Sequence, residues 1–196
     1  MEYFLIRHTK PDIAAGVCYG SLDVGVAASF NDEAEQVLRR CRQENIDENA
    51  MIFSSPLKRC KLLAEFLAGQ LNIPVTYDER LRELDFGEWE GKRWDALDRT
   101  QSDFWTADVF NRAPPGGETY AALYARVEAF LMEVATTTSG PVIIVSHGGP
   151  LRAMLAYLLA LRKETFPPLD VAVGRISKVS TAHGAGENGV LQFLNR

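Results

Sequence analysis

Two histidines of this chain sit at the same kind of place. The stretch FLIRHTKP, Phe4 to Pro11, runs from apolar Phe4, Leu5 and Ile6 straight into Arg7 and His8. The stretch VIIVSHGGP, Val142 to Pro150, ends a second apolar run in Ser146 and His147, then turns through Gly148 and Gly149. Short runs of Ile, Val, Leu and Phe without alternation read as strands buried on both faces. In open α/β sheets, ligands bind beyond the carboxyl ends of such strands. One histidine after a strand is more often structural, but two of the chain's three at such ends point to a shared site. An imidazole with an ordinary pKa of about 6.5 is a usable nucleophile at neutral pH.

Cations accompany them. Arg7 adjoins His8, and Arg59 follows the strand MIFSS in the first turn of the next helix. Arg59 lies about 100° from the centre of that helix's apolar stripe. It therefore need not be buried, and it can point back toward the strand ends. Alone it reads as a solvated surface arginine; beside Arg7 it suggests a fork for a phosphoryl group, which guanidinium matches bidentately. The helix after Gly148 offers free backbone N–H groups to the same anion. An acid is available in RLRELDFGEWEG, Arg80 to Gly91, where Glu83 is flanked by Leu81 and Leu84. Apolar neighbours can raise a carboxyl pKa enough to deliver a proton near neutral pH. The competing reading is a surface loop of solvated acids. The DFG triplet here is no kinase signal, because no Gly-rich loop, VAIK-type lysine or HRD stretch accompanies it.

The elements that must position these groups follow from periodicity. Tyr3–Ile6, Met51–Phe53 and Val142–Val145 read as buried strands. Pro56–Leu71 reads as a helix with Ser55 as N-cap and Pro56 at its first position. Ser29–Glu44, a stretch from Tyr120 to Val134 and Leu151–Leu161 carry further helical patterns, and Arg175–Ala182 and Val190–Leu194 read as strands joined by a Gly-rich turn. The alternation predicts one α/β domain over residues 1–196: three layers, with helices on both faces of a mostly parallel central sheet.

Composition narrows the partners. At 196 residues, 46% apolar and 24% charged, the chain suits one soluble globular domain. A net charge of -5 without a lysine or arginine run argues against nucleic acid. The longest apolar stretch, AMLAYLLAL, is half a membrane span, and no signal-peptide pattern opens the chain, so no membrane partner and a cytoplasmic location are expected. Cys18, Cys41 and Cys60 form no CxxC pair, which argues against disulfides or zinc. No metal and no cofactor are expected; the arginine pair, not the composition, suggests a small phosphorylated metabolite as the partner. Val190–Leu194 could pair between subunits as an edge strand, which leaves a homodimer open. His183, near a turn, reads as exposed and inert, Cys18 as a small buried hydrophobe, and Trp89, Trp94 and Trp105 as cover for the core beneath the Glu83 loop.

Five motifs, in order along the chain, carry a resemblance: LIRHT at Leu5–Thr9, SSPLKRC at Ser54–Cys60, LRELDFGEWEG at Leu81–Gly91, GGET at Gly116–Thr119 and VSHGG at Val145–Gly149. Together they resemble the histidine phosphatases, the phosphoglycerate mutase-like superfamily. The resemblance implies that fold and a metal-independent reaction through phosphohistidine. It implies His8 as nucleophile, Arg7 and Arg59 as phosphate-holding arginines, Glu83 as proton donor, and His147 beside the phosphoryl group. It implies Gly148 as the residue whose backbone lies against the first histidine.

Departures refine it. Many members read RHGxTxxN; here Thr9 replaces the glycine and Ala14 the asparagine, so one polar contact is missing or supplied by another group such as Thr9. Tyr19 and Gly20 fall where relatives line the substrate pocket. The form RHTKPD…GVCYGSLD looks most like the α-ribazole phosphatase branch, which implies hydrolysis of α-ribazole 5′-phosphate in cobalamin nucleotide-loop assembly, with Tyr19 able to stack on a flat base. The rivals are a phosphoglycerate mutase or broad sugar-phosphate phosphatase, and a module that binds phosphorylated ligands without turnover.

Overall fold

The computed structural model describes residues 1–164, 169–182 and 189–196. Six strands form one sheet in the order β3-β2-β4-β1-β5-β6. They are β1 (Glu2–Arg7), β2 (Met51–Ser54), β3 (Val75–Tyr77), β4 (Val142–Ser146), β5 (Ile176–Ser180) and β6 (Val190–Phe193). β3, β2, β4 and β1 run parallel; β5 and β6 are antiparallel additions at one side. The helices are α1 (Phe30–Gln43), α2 (Lys58–Leu71), α3 (Arg99–Thr106), α4 (Tyr120–Thr137) and α5 (Gly148–Leu158).

The pleat explains why the central strands show no alternation. Tyr3, Leu5, Val142 and Ile144 pack with α4 and α5 on one face. Phe4, Ile6, Ile143 and Val145 pack with α1 and α2 on the other. Successive side chains of a strand point to opposite faces, so a strand with helices on both sides must be apolar throughout. A third, smaller cluster joins Cys18, Trp89 and Leu97, with Phe86 and Trp105 packed against it.

Several elements depart from expectation, among them α3, which the sequence pattern did not mark. β3 was not legible, being three residues long with Thr76 and Tyr77 exposed at the sheet edge. α2 begins at Lys58, not Pro56, because Leu57 is extended at φ -63 and ψ 136; Ser55 is not its N-cap. The orphan N–H of Lys58 goes instead to Asp23 Oδ1 at 2.6 Å, a capping group supplied from 35 residues away. α5 starts at Gly148, since Pro150 in a first turn forfeits no helical hydrogen bond. It ends at Leu158, ahead of the left-handed Ala160. His183 and the Gly-rich turn around it lie outside the described residues.

Candidate active site

β1 and β4 pair in parallel register, Arg7 opposite Ser146, so the histidines that follow them emerge side by side. Their ring centroids are 5.2 Å apart and tilted by 59°. Both residues are fully buried. His8 Nδ1 lies 2.7 Å from the carbonyl oxygen of Thr9, which can only accept, so Nδ1 carries the proton. The lone pair is therefore on Nε2, which is buried and without a partner among the described residues. His147 has the opposite tautomer. Arg59 Nε donates to its Nδ1 at 3.2 Å, which leaves the proton on Nε2, donated to Ser55 Oγ at 2.8 Å.

Burial and nearby cations keep both rings neutral. The pKa of His8 is pushed down to about 3, chiefly by desolvation and then by Arg59, with Arg7 adding to it. His147 is held well below the ordinary histidine range, by desolvation first and then by Arg59, His8 and Arg7. A neutral ring with an unoccupied lone pair is the form a nucleophile needs.

The two arginines differ. Arg7 donates through one terminal nitrogen to Val171 O at 2.7 Å, while its Nε is buried without a partner among the described residues. Arg59 is wholly buried, which its place on the helical wheel left open. The reason is the segment from Tyr19 to Asp23, which folds over it. The terminal nitrogens of Arg59 donate to Leu22 O and Gly20 O, both at 2.7 Å, and the Tyr19 ring lies 5.2 Å from its guanidinium carbon. With Nε on His147, three of its five N–H groups are used within the protein. Gly20 permits this approach at φ +26; a Cβ there would stand 2.3 Å from Glu90 Oε1 and 2.7 Å from Leu84 O.

Glu83 is half-buried between Leu81 and Leu84, both buried. Its Oε1 accepts from Leu84 N at 2.9 Å and from Gly149 N at 3.0 Å, so the start of α5 meets a carboxylate of the protein itself. Gly149 is needed here, since a Cβ would lie 2.4 Å from that oxygen. The Gly148 α-carbon faces the guanidinium groups of Arg7 and Arg152; a Cβ at this position would stand 3.3 Å from Arg7 Cζ and 3.0 Å from an Arg152 nitrogen. Thr9 is buried, its Oγ1 without a partner among the described residues, whereas Ala14 is exposed. A cleft of 200 Å³ opens among Arg7, Tyr19, Gly20, Glu83, Phe86 and Trp94.

A search of known families matches residues 3–192 to the histidine phosphatase superfamily, branch 1. The chain belongs to that superfamily. It is 31% identical over 171 residues to phosphoserine phosphatase 1 of Hydrogenobacter thermophilus, covering 85% of this chain and 80% of that protein. It is 32% identical over 167 residues to a protein of Salmonella choleraesuis described as a probable phosphoglycerate mutase, covering 82% and 76%. The solved structure of α-ribazole phosphatase from Shigella flexneri superposes with a TM-score of 0.86 at 25% identity, covering 100% and 96%. The reaction class that goes with this histidine phosphatase chain is phosphomonoester hydrolysis.

In this histidine phosphatase several site residues escaped the sequence reading. Arg152 stands one turn into α5, donates from Nε to Leu169 O at 2.7 Å, and lines a 100 Å³ side cavity with Glu83, Phe86, Trp105 and Tyr120. Its position four residues after Gly148 was the available signal, because that spacing puts it above the same helix terminus. Ser55, read as a cap, holds His147 instead. Arg126 on α4 donates to Arg80 O and Glu83 O at 2.6 and 3.2 Å, and pairs through both nitrogens with Glu118 of GGET. That pair fixes the backbone that carries Glu83. Glu90 ties Ser21 N and Phe86 N together at 2.6 and 3.0 Å, joining the two walls of the cleft. Of the tryptophans, Trp89 is buried as expected, but Trp94 is 42% exposed and faces the cleft. Cys18 is buried against Trp89 and Leu97.

Proposed function

We propose that this protein hydrolyses a phosphomonoester through a phosphohistidine formed on His8 Nε2. The observation that supports this most is the buried lone pair of that atom, unpartnered among the described residues, facing a second neutral imidazole and flanked by two guanidinium groups. In the first step Nε2 attacks phosphorus and the ester P–O bond breaks. The leaving alkoxide takes a proton from Glu83 in its acid form. In the second step Glu83 accepts a proton from the water that attacks phosphohistidine, inorganic phosphate departs, and the lone pair returns to Nε2.

Each neighbour has a role in this scheme. His8 Nδ1–H, held by Thr9 O, stabilises the cation that forms when Nε2 bonds to phosphorus. Arg7 Nε and the two remaining N–H groups of Arg59 face the charge that develops on the equatorial oxygens. The Nε2–H of His147 can be shared between Ser55 and a phosphoryl oxygen. Thr9 Oγ1 supplies the polar contact that Ala14 cannot. No step needs a metal, so excess chelator is expected to leave the rate unchanged.

For the substrate, α-ribazole 5′-phosphate fits the aromatic lining best, and the Shigella α-ribazole phosphatase supports it. Tyr19, read as the stacking platform, has its ring against Arg59; the surfaces open to a flat base are those of Trp94 and Phe86. One observation favours a second reading. Arg152 beside Glu83 suits a leaving group bearing a carboxylate, as in the phosphoserine and phosphoglycerate named for two relatives. Measured kcat/KM separates these. The first reading expects α-ribazole 5′-phosphate to exceed phosphoserine and 3-phosphoglycerate by at least about tenfold, with Trp94→Ala reducing that ratio. The reverse preference, lost in Arg152→Ala, would establish the second. Failure to release phosphate from any of these or from p-nitrophenyl phosphate between pH 5 and 8 would favour a binding module.

A further inference from the structure

Away from the cleft, four arginines converge on one concavity of 320 Å³. Arg39 and Arg40 come from the C-terminal end of α1, Arg175 immediately precedes β5, and Arg196 follows β6; Gln36 and Gln43 complete its polar walls. Arg196 is brought there by two backbone hydrogen bonds with Ile176, at 2.9 and 3.0 Å, that extend the pairing of β5 and β6.

The pairing of these arginines differs from that of several others. Arg80, Arg82, Arg93 and Arg126 each form an ion pair with a carboxylate. Among the described residues, none of the four converging arginines does. They stand together although the chain has 26 acidic residues against 21 basic ones. Two carboxylates lie nearby: Glu33, whose Oε2 would stand 3.2 Å from a Cβ at Gly174, and Glu44. Glu33 accepts from Lys10 N at 2.8 Å and Ser29 Oγ at 2.6 Å, and Glu44 pairs with Lys178 at 3.3 Å. Arg40 donates to the neutral Gln43 at 2.9 Å, and the Arg196 guanidinium lies 4.6 Å from the Phe193 ring centre. Grouped guanidinium charges repel one another, and each presents a planar fork matched to phosphate or carboxylate.

One wall connects with the catalytic strand. Gly174, which lines the concavity, donates its N–H to Arg7 O at 3.2 Å and His8 O at 3.0 Å. Arg175 O accepts from Arg7 N at 3.2 Å. The backbone that holds the nucleophile in place is thus the floor of the arginine cluster.

We propose that this concavity is a second anion site, separate from the catalytic cleft, that takes a polyanionic ligand carrying two or more phosphate or carboxylate groups. Its occupancy acts on turnover through Gly174 and Arg175, which brace Arg7 and His8. The probe is inorganic pyrophosphate, and the variant is Arg39→Gln with Arg40→Gln, two exposed positions outside the catalytic machinery. Calorimetric titration of the whole protein is expected to resolve two pyrophosphate sites in the wild type and one in the variant, the lost site weakening by about tenfold or more and fading with added salt. With p-nitrophenyl phosphate at saturation, pyrophosphate is expected to change kcat in the wild type and not in the variant. A single site unaffected by the substitutions, with inhibition that saturating substrate abolishes, would overturn the proposal. A second site lost in the variant without any effect on kcat would keep the site and overturn its link to His8. The titration does not depend on turnover, so it tests the site even in a protein without phosphatase activity.

Discussion

The carboxyl ends of β1 and β4 carry nearly the same sequence grammar, an apolar run and then a histidine, and they lie adjacent in the sheet. Their imidazoles are nevertheless held in opposite ways. His8 is anchored through one nitrogen by its own neighbour's carbonyl, and the other nitrogen has no partner among the described residues. His147 is held at both nitrogens, by Arg59 and Ser55, with the Cys60 sulfur 3.4 Å from Nε2. A buried polar atom without a partner costs free energy comparable to a lost hydrogen bond, so such atoms need a reason to persist. The comparison separates a ring kept available for bonding from a ring kept in place for donating. It also gives Arg59 a double part, since the group that orients His147 is the group whose charge helps to hold His8 neutral.

Substitutions can break that contrast in order of size. Glu83→Gln is expected to reduce kcat by about 10²- to 10⁴-fold on an alkyl phosphate and far less on p-nitrophenyl phosphate, whose leaving group needs no proton. Equal losses on both would remove Glu83 as the acid. His147→Ala is expected to cost about 10²- to 10³-fold in kcat, the magnitude of losing one preorganised donor. A loss confined to KM would make it a ground-state contact only. Ser55→Ala, which frees His147 Nε2 while leaving Arg59 in place, is expected to cost on the order of tenfold. Restoration by Thr, but not by Val, would mark an effect of the hydroxyl rather than of packing.

The pKa values sharpen the same comparison. Both histidines are neutral in the folded protein well below the ordinary value of about 6.5 that they regain on unfolding. Below that value the unfolded chain binds more protons than the folded one, so stability falls as pH drops from about 6.5 toward 3. At higher pH both states are neutral and the contribution is flat. Denaturant midpoints recorded through this window are expected to fall less steeply in His8→Asn than in the wild type. Parallel slopes would mean that the His8 environment is not as dry as its burial implies.

Much of this site was legible because its groups sit at the ends of strongly apolar strands. His8, Arg7 and His147 follow from where β1 and β4 stop, and the two-sided burial of those strands from the lack of alternation. Glu83 was marked by its leucine neighbours. What escaped depends on contacts distant in sequence. The burial of Arg59 is decided by carbonyls of Gly20 and Leu22, which no helical-wheel argument about α2 can include. Asp23 caps a helix 35 residues on. Ser55 looked like a cap because it precedes a Pro, and its hydroxyl was claimed by a histidine 92 positions away. Arg152 gains its meaning only from the packing of the first turn of α5 against Arg7, which no local pattern carries. β3 lacked both length and apolar content.

The central claim is that His8 Nε2 bonds to phosphorus. Incubating the protein with a ³²P-labelled phosphomonoester, quenching in base and locating the label by peptide mass analysis tests it directly. The expected result is an acid-labile, base-stable phosphoryl group on His8, at near-stoichiometric amounts when hydrolysis of the intermediate is slow, absent from His8→Ala. Turnover at the wild-type rate by His8→Ala, or label carried on any other residue, would contradict the account.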